Sequence, residues 1–500
     1  MPVASSPREA LADAPPGAAA EAGGSRAEAI GIGAILLVAA LVRFWGIGSQ
    51  SFWLDEVVTA QLVQEPFGHM LSTIPNSEST PYLYYVVLWL WAQVFGHGEA
   101  ALRSLSALAG VATVAAVWAG ARALVSQRAG LAAGALAALN PFLVWYSQEA
   151  RAYALLACLC AVSFWLFARA LREPRGRVLA SWAVASALAL ATHYFAAFVV
   201  VPEAIALAVL AGRTRAWALA CGGIGLAALA LVPLAAQQQR GGGADWIGDI
   251  SLWHRIAEIP KRFAAGDFGN QLSYVFWPVL LIALVAVAVF LVRATDDERR
   301  GGIIALAIGG AGLVVPVALA LITLDYVYPR NLIGSLPTLL VAFGAVLTAR
   351  RAALTGAVLG ATVLALSAVS LIRTATDDAL QRDDWRTAVD YLEQHDVQAI
   401  VVSPANNVRP IDYYMGHLFN VVDPGVTTDR IAVIDTTRAP RGDRIPPRQV
   451  PGFTTAEVKD TDTYRIVLLR APKPVAVGPG LALQAAARPQ DVRAVADVTP

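Results

Sequence analysis

Two adjacent carboxylates, Asp55 and Glu56 in FWLDEVV, follow directly on the first strongly apolar stretch of the chain. Neighbouring acids repel, so one can accept a proton while the other orients a ligand. Alone, the same dipeptide also fits a solvated turn. A second group is SQEARAY, where Glu149 and Arg151 can pair with each other or hold a polar substrate, with Tyr153 beside them. An ordinary ion pair at a helix start accounts for that spacing equally well. THYF supplies His193 and Tyr194, a pair that also fits an interfacial anchor. In LDYVYPRNLIGSLP, Arg330 stands where a loop enters an apolar run, a place where a guanidinium can grip a phosphate through two parallel hydrogen bonds. Lys261 and Arg262 are further candidates for a lipid phosphate, although simple headgroup contact suits them slightly better.

These residues lie between apolar segments. With 57% hydrophobic and 15% charged residues and a mean hydropathy of +0.55, the chain has more apolar surface than a water-soluble fold can hide. A net charge of +1 argues against nucleic acid as a partner. Crossing a bilayer takes about 20 apolar residues, and about eleven segments qualify: 27–46, 101–122, 129–146, 150–171, 178–193, 195–211, 215–236, 272–293, 302–323, 331–349 and 352–372. Arginine clusters at 122–128, 169–177, 213–215, 293–300 and 350–351 fall at every second connection, which assigns those connections and the N-terminus to the cytoplasm. The candidate residues then lie on the extracytoplasmic side of a multi-pass protein of the cell membrane. Pro81–Phe95 is apolar too, but counting it as a span would invert every later loop. It is expected as an interfacial or partly inserted helix, anchored by aromatics that include Tyr82.

The predicted organisation is an all-α polytopic membrane protein with a small α/β domain at its C-terminal end. Residues 1–26 read as a disordered tail, 27–373 as the membrane domain with an outer loop over 47–100, 374–470 as the extracytoplasmic domain, and 471–500 as a loose tail. A helix over 383–395 and strands at 399–403, 431–434 and 464–469 carry the α/β expectation. Cys158, Cys160 and Cys221 sit in apolar stretches and read as small core residues.

In order along the chain, FWLDE, ESTPYLYYVVLWLW, GEAALRSLSALAGV, NPFLVWYSQEARAYALL, THYFAAFV and YPRNLIGSLP resemble the bacterial dolichyl-phosphate-mannose protein mannosyltransferase-like family. This is glycosyltransferase family 39, of GT-C fold, and the likeness runs from about Arg43 to Leu340. It implies an inverting transfer of a sugar from a polyprenyl-phosphate donor to an envelope glycan, lipid or protein, at the outer membrane boundary. It further implies that Asp55 is the catalytic base, with Glu56 as its neighbour. No nucleotide-binding fingerprint is present, which agrees with a lipid-borne donor. Some GT-C enzymes use a divalent metal, and Asp55, Glu56, Glu149 and His193 are ligand types, though their spacing defines no site. Two departures touch specificity. Pro81-Tyr82 stands where the family often has Pro-Pro, and Asn331 stands where a Tyr commonly follows the arginine. The competing class is a transporter or lipid flippase, against which stand the lack of a repeated half and the crowding of acids away from the midplane.

Overall fold

The computed structural model describes residues 16–322, 324–420, 425–436, 450–478, 480 and 493–497. The chain divides into two compact units. The first comprises Met1–Trp45, Ile74–Val86 and Ser104–Leu371, and the second Gly46–Thr73, Val87–Arg103 and Ile372–Pro500.

The first unit is helical. Among the described residues of the chain, eight helices are long and apolar enough to cross a membrane, and Gln127–Leu139 with Pro141–Ser147, bent by 58°, makes a ninth. Gly176–Thr192 and Tyr194–Leu210 are shorter apolar helices. At about 1.5 Å per residue, the first of them reaches roughly 25 Å, somewhat less than the ~30 Å hydrocarbon layer. With those two included, each of the eleven expected segments has a helix. Leu83–Phe95, of 13 residues, is the short one that the charge pattern set aside. The chain is a multi-pass membrane protein. Its first helix, Pro16–Phe44, starts inside the stretch expected to be disordered, while residues 1–15 lie outside the described ones.

Pro141 explains the bend. It has no N–H, so the carbonyl of Ala137 loses its helical partner. Arg43 replaces it: Nη2 donates to Ala137 O at 3.0 Å, Nη1 to Ala138 O at 2.9 Å, and Nε to Ser147 Oγ at 3.2 Å. Asn140 caps the new helix by accepting from Leu143 N at 2.9 Å, and its Nδ2 donates to Phe263 O at 2.8 Å. The chain thereby turns so that Tyr146 and Glu149 follow a fixed joint.

Helices Tyr153–Arg172 and Pro329–Leu347 are the most enclosed spans, with 67% and 72% of their apolar windows buried, against 17% for Arg215–Arg240. Pro329–Ser335 is a 3-10 stretch opening the second of these. It lies against the first because Gly334 has no side chain; a Cβ there would meet Cys160 Sγ at 3.0 Å.

The second unit holds a six-stranded sheet: β1 Ala399–Ser403, β2 Leu418–Asn420, β3 Val426–Asp435, β4 Thr454–Asp460, β5 Arg465–Val477 and β6 Arg493–Asp497, in the order β2-β6-β1-β3-β5-β4. Among the described residues, only the β1–β3 pairing is parallel. Alternate residues of β1, β3 and β5 bury two faces. Ile400, Val402, Ile434 and Ile466 pack with Trp385 and Leu392 of helix Trp385–Gln394, while Val401, Ile431, Val433 and Val467 pack with Val450 and Phe453. The helix and the strands at 399–403, 431–434 and 464–469 lie where the sequence placed them. The end of the chain corrects an expectation, because residues beyond 470 complete β5 and supply β6, which pairs with both β1 and β2. The segment expected as an outer loop of the membrane domain is also divided, since Gly46–Thr73 and Val87–Arg103 group with the sheet.

Candidate functional site

In the second unit, Asp55 and Glu56 open helix Leu54–Gln64, where negative charge suits the helix N-terminus. Their surroundings differ. Glu56 is fully buried and accepts from Arg103 Nε at 2.7 Å and Nη2 at 2.6 Å. Arg103 is 1% exposed and spends its remaining donors on Ile47 O at 3.1 Å, Gln50 O at 2.7 Å and Ser51 O at 2.9 Å. A carboxylate held this way fixes the loop before the helix and is poorly placed to accept a proton. Asp55 is half-buried, one residue away on the same turn. The loop is tied to the sheet portion as well. Ser51 donates to Asp383 O at 2.7 Å and accepts from Trp385 N at 2.9 Å, and Phe52 N donates to Tyr414 Oη at 2.7 Å. The partners Arg103 and Tyr414 carry no signal in the local sequence around Asp55, because they lie about 50 and 360 residues away.

In the first unit, Arg330 is half-buried and its guanidinium faces three aromatic rings: Trp246 at 5.3 Å, Tyr328 at 5.5 Å and Tyr153 at 5.6 Å from the ring centres. Rings at this range attract the cation through their π-faces. Tyr153 also stands 5.1 Å from the Tyr146 ring and 6.0 Å from the His193 ring. His193 Nδ1 accepts from Phe195 N at 3.2 Å, so a neutral ring carries its proton on Nε2. Arg151 and Arg330 both lie within electrostatic reach of His193, and Glu149 within that of Tyr146.

The loop carrying Arg330 is bolted in place. Arg255, 1% exposed, donates to Asp325 Oδ1 at 2.7 Å and Oδ2 at 2.5 Å, and to Val327 O at 2.5 Å. The Arg255 hydrogen bonds hold the Asp325 carboxyl below its usual range. Neither residue is conspicuous in the sequence; a basic residue on the polar-apolar helix Leu252–Ala265 is the only hint.

Several expected partners rearrange. Arg151 makes a bidentate pair with Glu78, both bonds 3.0 Å, from the stretch ahead of Tyr82. Glu78 was not singled out in the sequence, although it lies in the quoted ESTPYLYY motif. Lys261 donates to Asn270 at 2.8 Å and stands 3.4 Å from Glu258, while Arg262 pairs with Asp267 at 2.7 Å. Burial opposes the charge on Arg262, but Asp267 outweighs it and the group is held above its ordinary range. Tyr146 Oη donates to the same Asp267 oxygen at 3.0 Å, and the Arg262 guanidinium sits 5.5 Å from the Tyr328 ring. Tyr194 Oη donates to Gln238 at 2.7 Å, whose amide in turn donates to Thr80 O at 2.9 Å, and Tyr82 is near enough to act on Tyr194 electrostatically. The first unit thus gathers Glu149, Arg151, Tyr153, His193 and Arg330, with Tyr82 and Tyr194 in a neighbouring hydrogen-bonded group. Among the described residues no three His, Cys, Asp or Glu side chains group as a metal site. Both oxygens of Glu56 already accept from Arg103, so Glu56 is not available as a metal ligand.

Comparison with known proteins agrees with the fold. Residues 79–236, about a third of the chain, match the family model described as dolichyl-phosphate-mannose-protein mannosyltransferase. The resemblance read from the sequence motifs is borne out over that segment, and the fold is of the GT-C class. ArnT from Cupriavidus metallidurans in the apo state superposes with a TM-score of 0.54 at 12% identity, covering 87% of this chain and 97% of that one. The oligosaccharyltransferase of Archaeoglobus fulgidus gives a TM-score of 0.46 at 13% identity, over 77% of this chain and 61% of the other. Arabinosyltransferase EmbB from Mycobacterium smegmatis gives 0.41 at 13% identity, over 86% and 47%. This chain therefore spans about three fifths of the archaeal enzyme and under half of the mycobacterial one. No curated protein matches by sequence.

Proposed function

We propose that this protein is a membrane glycosyltransferase that moves a sugar from a polyprenyl-phosphate donor to an envelope protein, lipid or polysaccharide, with inversion at the anomeric carbon. The observation that carries the reading is the setting of Arg330: a half-buried guanidinium framed by three rings at the start of a deeply enclosed apolar helix. Such a setting suits an anionic headgroup, since a guanidinium can meet a phosphate through two parallel hydrogen bonds. The family matched over 79–236 is named for dolichyl-phosphate-mannose, a donor of this kind.

In the proposed reaction an acceptor hydroxyl forms a bond to the anomeric carbon as the bond from that carbon to the phosphate oxygen breaks. The hydroxyl proton passes to Asp55, and polyprenyl phosphate leaves with the electron pair. Charge on the phosphate rises along this path, so Arg330 stabilises the transition state more than the bound donor. Glu56, held by Arg103, positions the turn that presents Asp55. Arg151, His193 and the nearby tyrosines supply hydrogen bonds to the sugar. The reaction face is extracytoplasmic and the arginine-rich connections are cytoplasmic, following the charge pattern.

The test uses purified full-length protein with lipid-linked sugars extracted from cells lacking it, in which the unused donor accumulates. Asp55→Asn should lower transfer by about 10²- to 10⁴-fold, the range of general-base catalysis, with an unchanged melting temperature. Normal turnover by that variant would remove the assignment.

A further inference from the structure

The first unit contains a second cationic site, at the opposite end of helix Tyr153–Arg172 from Arg330. Arg169 follows Tyr153 by sixteen residues, which places it about 24 Å further along the helix. There a cleft of about 730 Å³ is lined by Trp118, Arg122, Trp165, Arg169, Arg172 and Arg350, with Glu173 as its one acid. This volume falls in the range of about 300–1,000 Å³ typical of small-molecule sites.

The charge in the cleft is only partly spent. Arg122 pairs with Glu28 at 2.7 Å, Arg350 stands 3.8 Å from Glu298, and Glu173 stands 3.4 Å from Arg175. Among the described residues, neither Arg169 nor Arg172 has a carboxylate within reach. Each tryptophan carries a guanidinium over its ring, Arg122 at 5.8 Å from Trp118 and Arg169 at 5.6 Å from Trp165. Trp118 adds a separate observation: its buried indole N–H has no acceptor among the described residues. An unmade hydrogen bond of this kind is costly unless something outside the chain completes it. Arginines flanked by tryptophans at the ends of apolar helices also mark the depth at which lipid phosphates lie.

We propose that this cleft binds the phosphate-bearing headgroup of an anionic membrane lipid, at a site separate from Arg330 and independent of any transfer activity. Arg169 and Arg172 would meet the phosphate, Trp118 and Trp165 would line the glycerol region, and Glu173 would oppose binding.

Full-length protein in discs of neutral phosphatidylcholine would be titrated with phosphatidylglycerol, and bound lipid read by native mass spectrometry and by thermal unfolding. Arg169→Gln/Arg172→Gln should weaken retention at least tenfold, given that each interfacial cation contributes a comparable share of anionic-lipid binding. Arg213→Gln/Arg215→Gln, which removes two cations from another connection, should leave it within twofold. Glu173→Gln should tighten it severalfold, a gain that misfolding cannot mimic. Equal weakening in both double variants would reduce the effect to general surface charge and overturn the proposal. So would inorganic phosphate competing as well as the lipid, or an unchanged affinity in Glu173→Gln.

Discussion

Arg103, in the second unit, and Arg330, in the first, are held in different ways. Arg103 is encased, with every donor directed at Glu56 or a backbone carbonyl. Arg330 is half-buried and faces three aromatic rings, whose π-faces attract the cation. The lesson is that a cation near a carboxylate is informative only through what already occupies its donors. One arginine maintains a loop, and the other is the one proposed to meet a phosphate.

The comparison breaks first at the encased pair. Glu56→Gln leaves Arg103 buried without its counter-charge and should cost about 3–5 kcal/mol of stability, read as a lowered unfolding temperature in detergent. A variant that keeps its stability but loses transfer would instead make Glu56 a chemical participant. The second test is Arg330→Lys, which keeps charge but loses the planar fork. It should lower transfer by about 10²–10³-fold with little change in unfolding temperature, by analogy with removing one preorganised transition-state donor.

A smaller effect is expected at Gly110. A Cβ there would lie 2.1 Å from Ser147 Oγ and 2.7 Å from Arg43 Nε, within the joint that Arg43 caps. Gly110→Ala should therefore cost about 1–3 kcal/mol by overpacking, checked by thermal unfolding. The smallest effect concerns pH. Asp325 has a depressed folded-state pKa, so its pairing with Arg255 contributes stability that is fully present above the ordinary aspartate value of about 3.9 and is lost as pH falls through the lower folded value. Acidification below pH 4 should loosen the loop carrying Arg330 in the wild type and not in Asp325→Asn. Hydrogen exchange at Tyr326–Tyr328 would report it.

The apolar spans were legible because lipid exposure forces long runs of hydrophobic residues, whatever their neighbours. Ala399–Ser403 was legible for a related reason: as the central parallel strand it is buried along its whole length and reads as AIVVS. Thr454–Asp460 escaped notice because it is an edge strand, mostly exposed, whose polar sequence TTAEVKD shows no alternation. Arg493–Asp497 was hidden by an Ala- and Pro-rich surrounding, and its place depends on pairing with β1, about a hundred residues earlier. In the candidate site, Arg330 and Tyr153 stood out from their position at apolar run ends. Glu78 did not, because only the folded chain brings it to Arg151.

The capped bend at Pro141 also constrains how the protein is made. Arg43 belongs to a helix that emerges from the ribosome about ninety-five residues before the carbonyls it serves. Within its own helix it reaches Ala39 O at 3.3 Å, and since it lies in that helix's last turn its charge costs less than the roughly 2.5–3.5 kcal/mol of a span centre. Its bonds to Ala137 O, Ala138 O and Ser147 Oγ form only after residues 127–147 are delivered, so the opening helix is tied down after the bend is made. A lesion at Asn140 or Pro141 would then appear as loosening of the opening helix, far upstream of the altered residue.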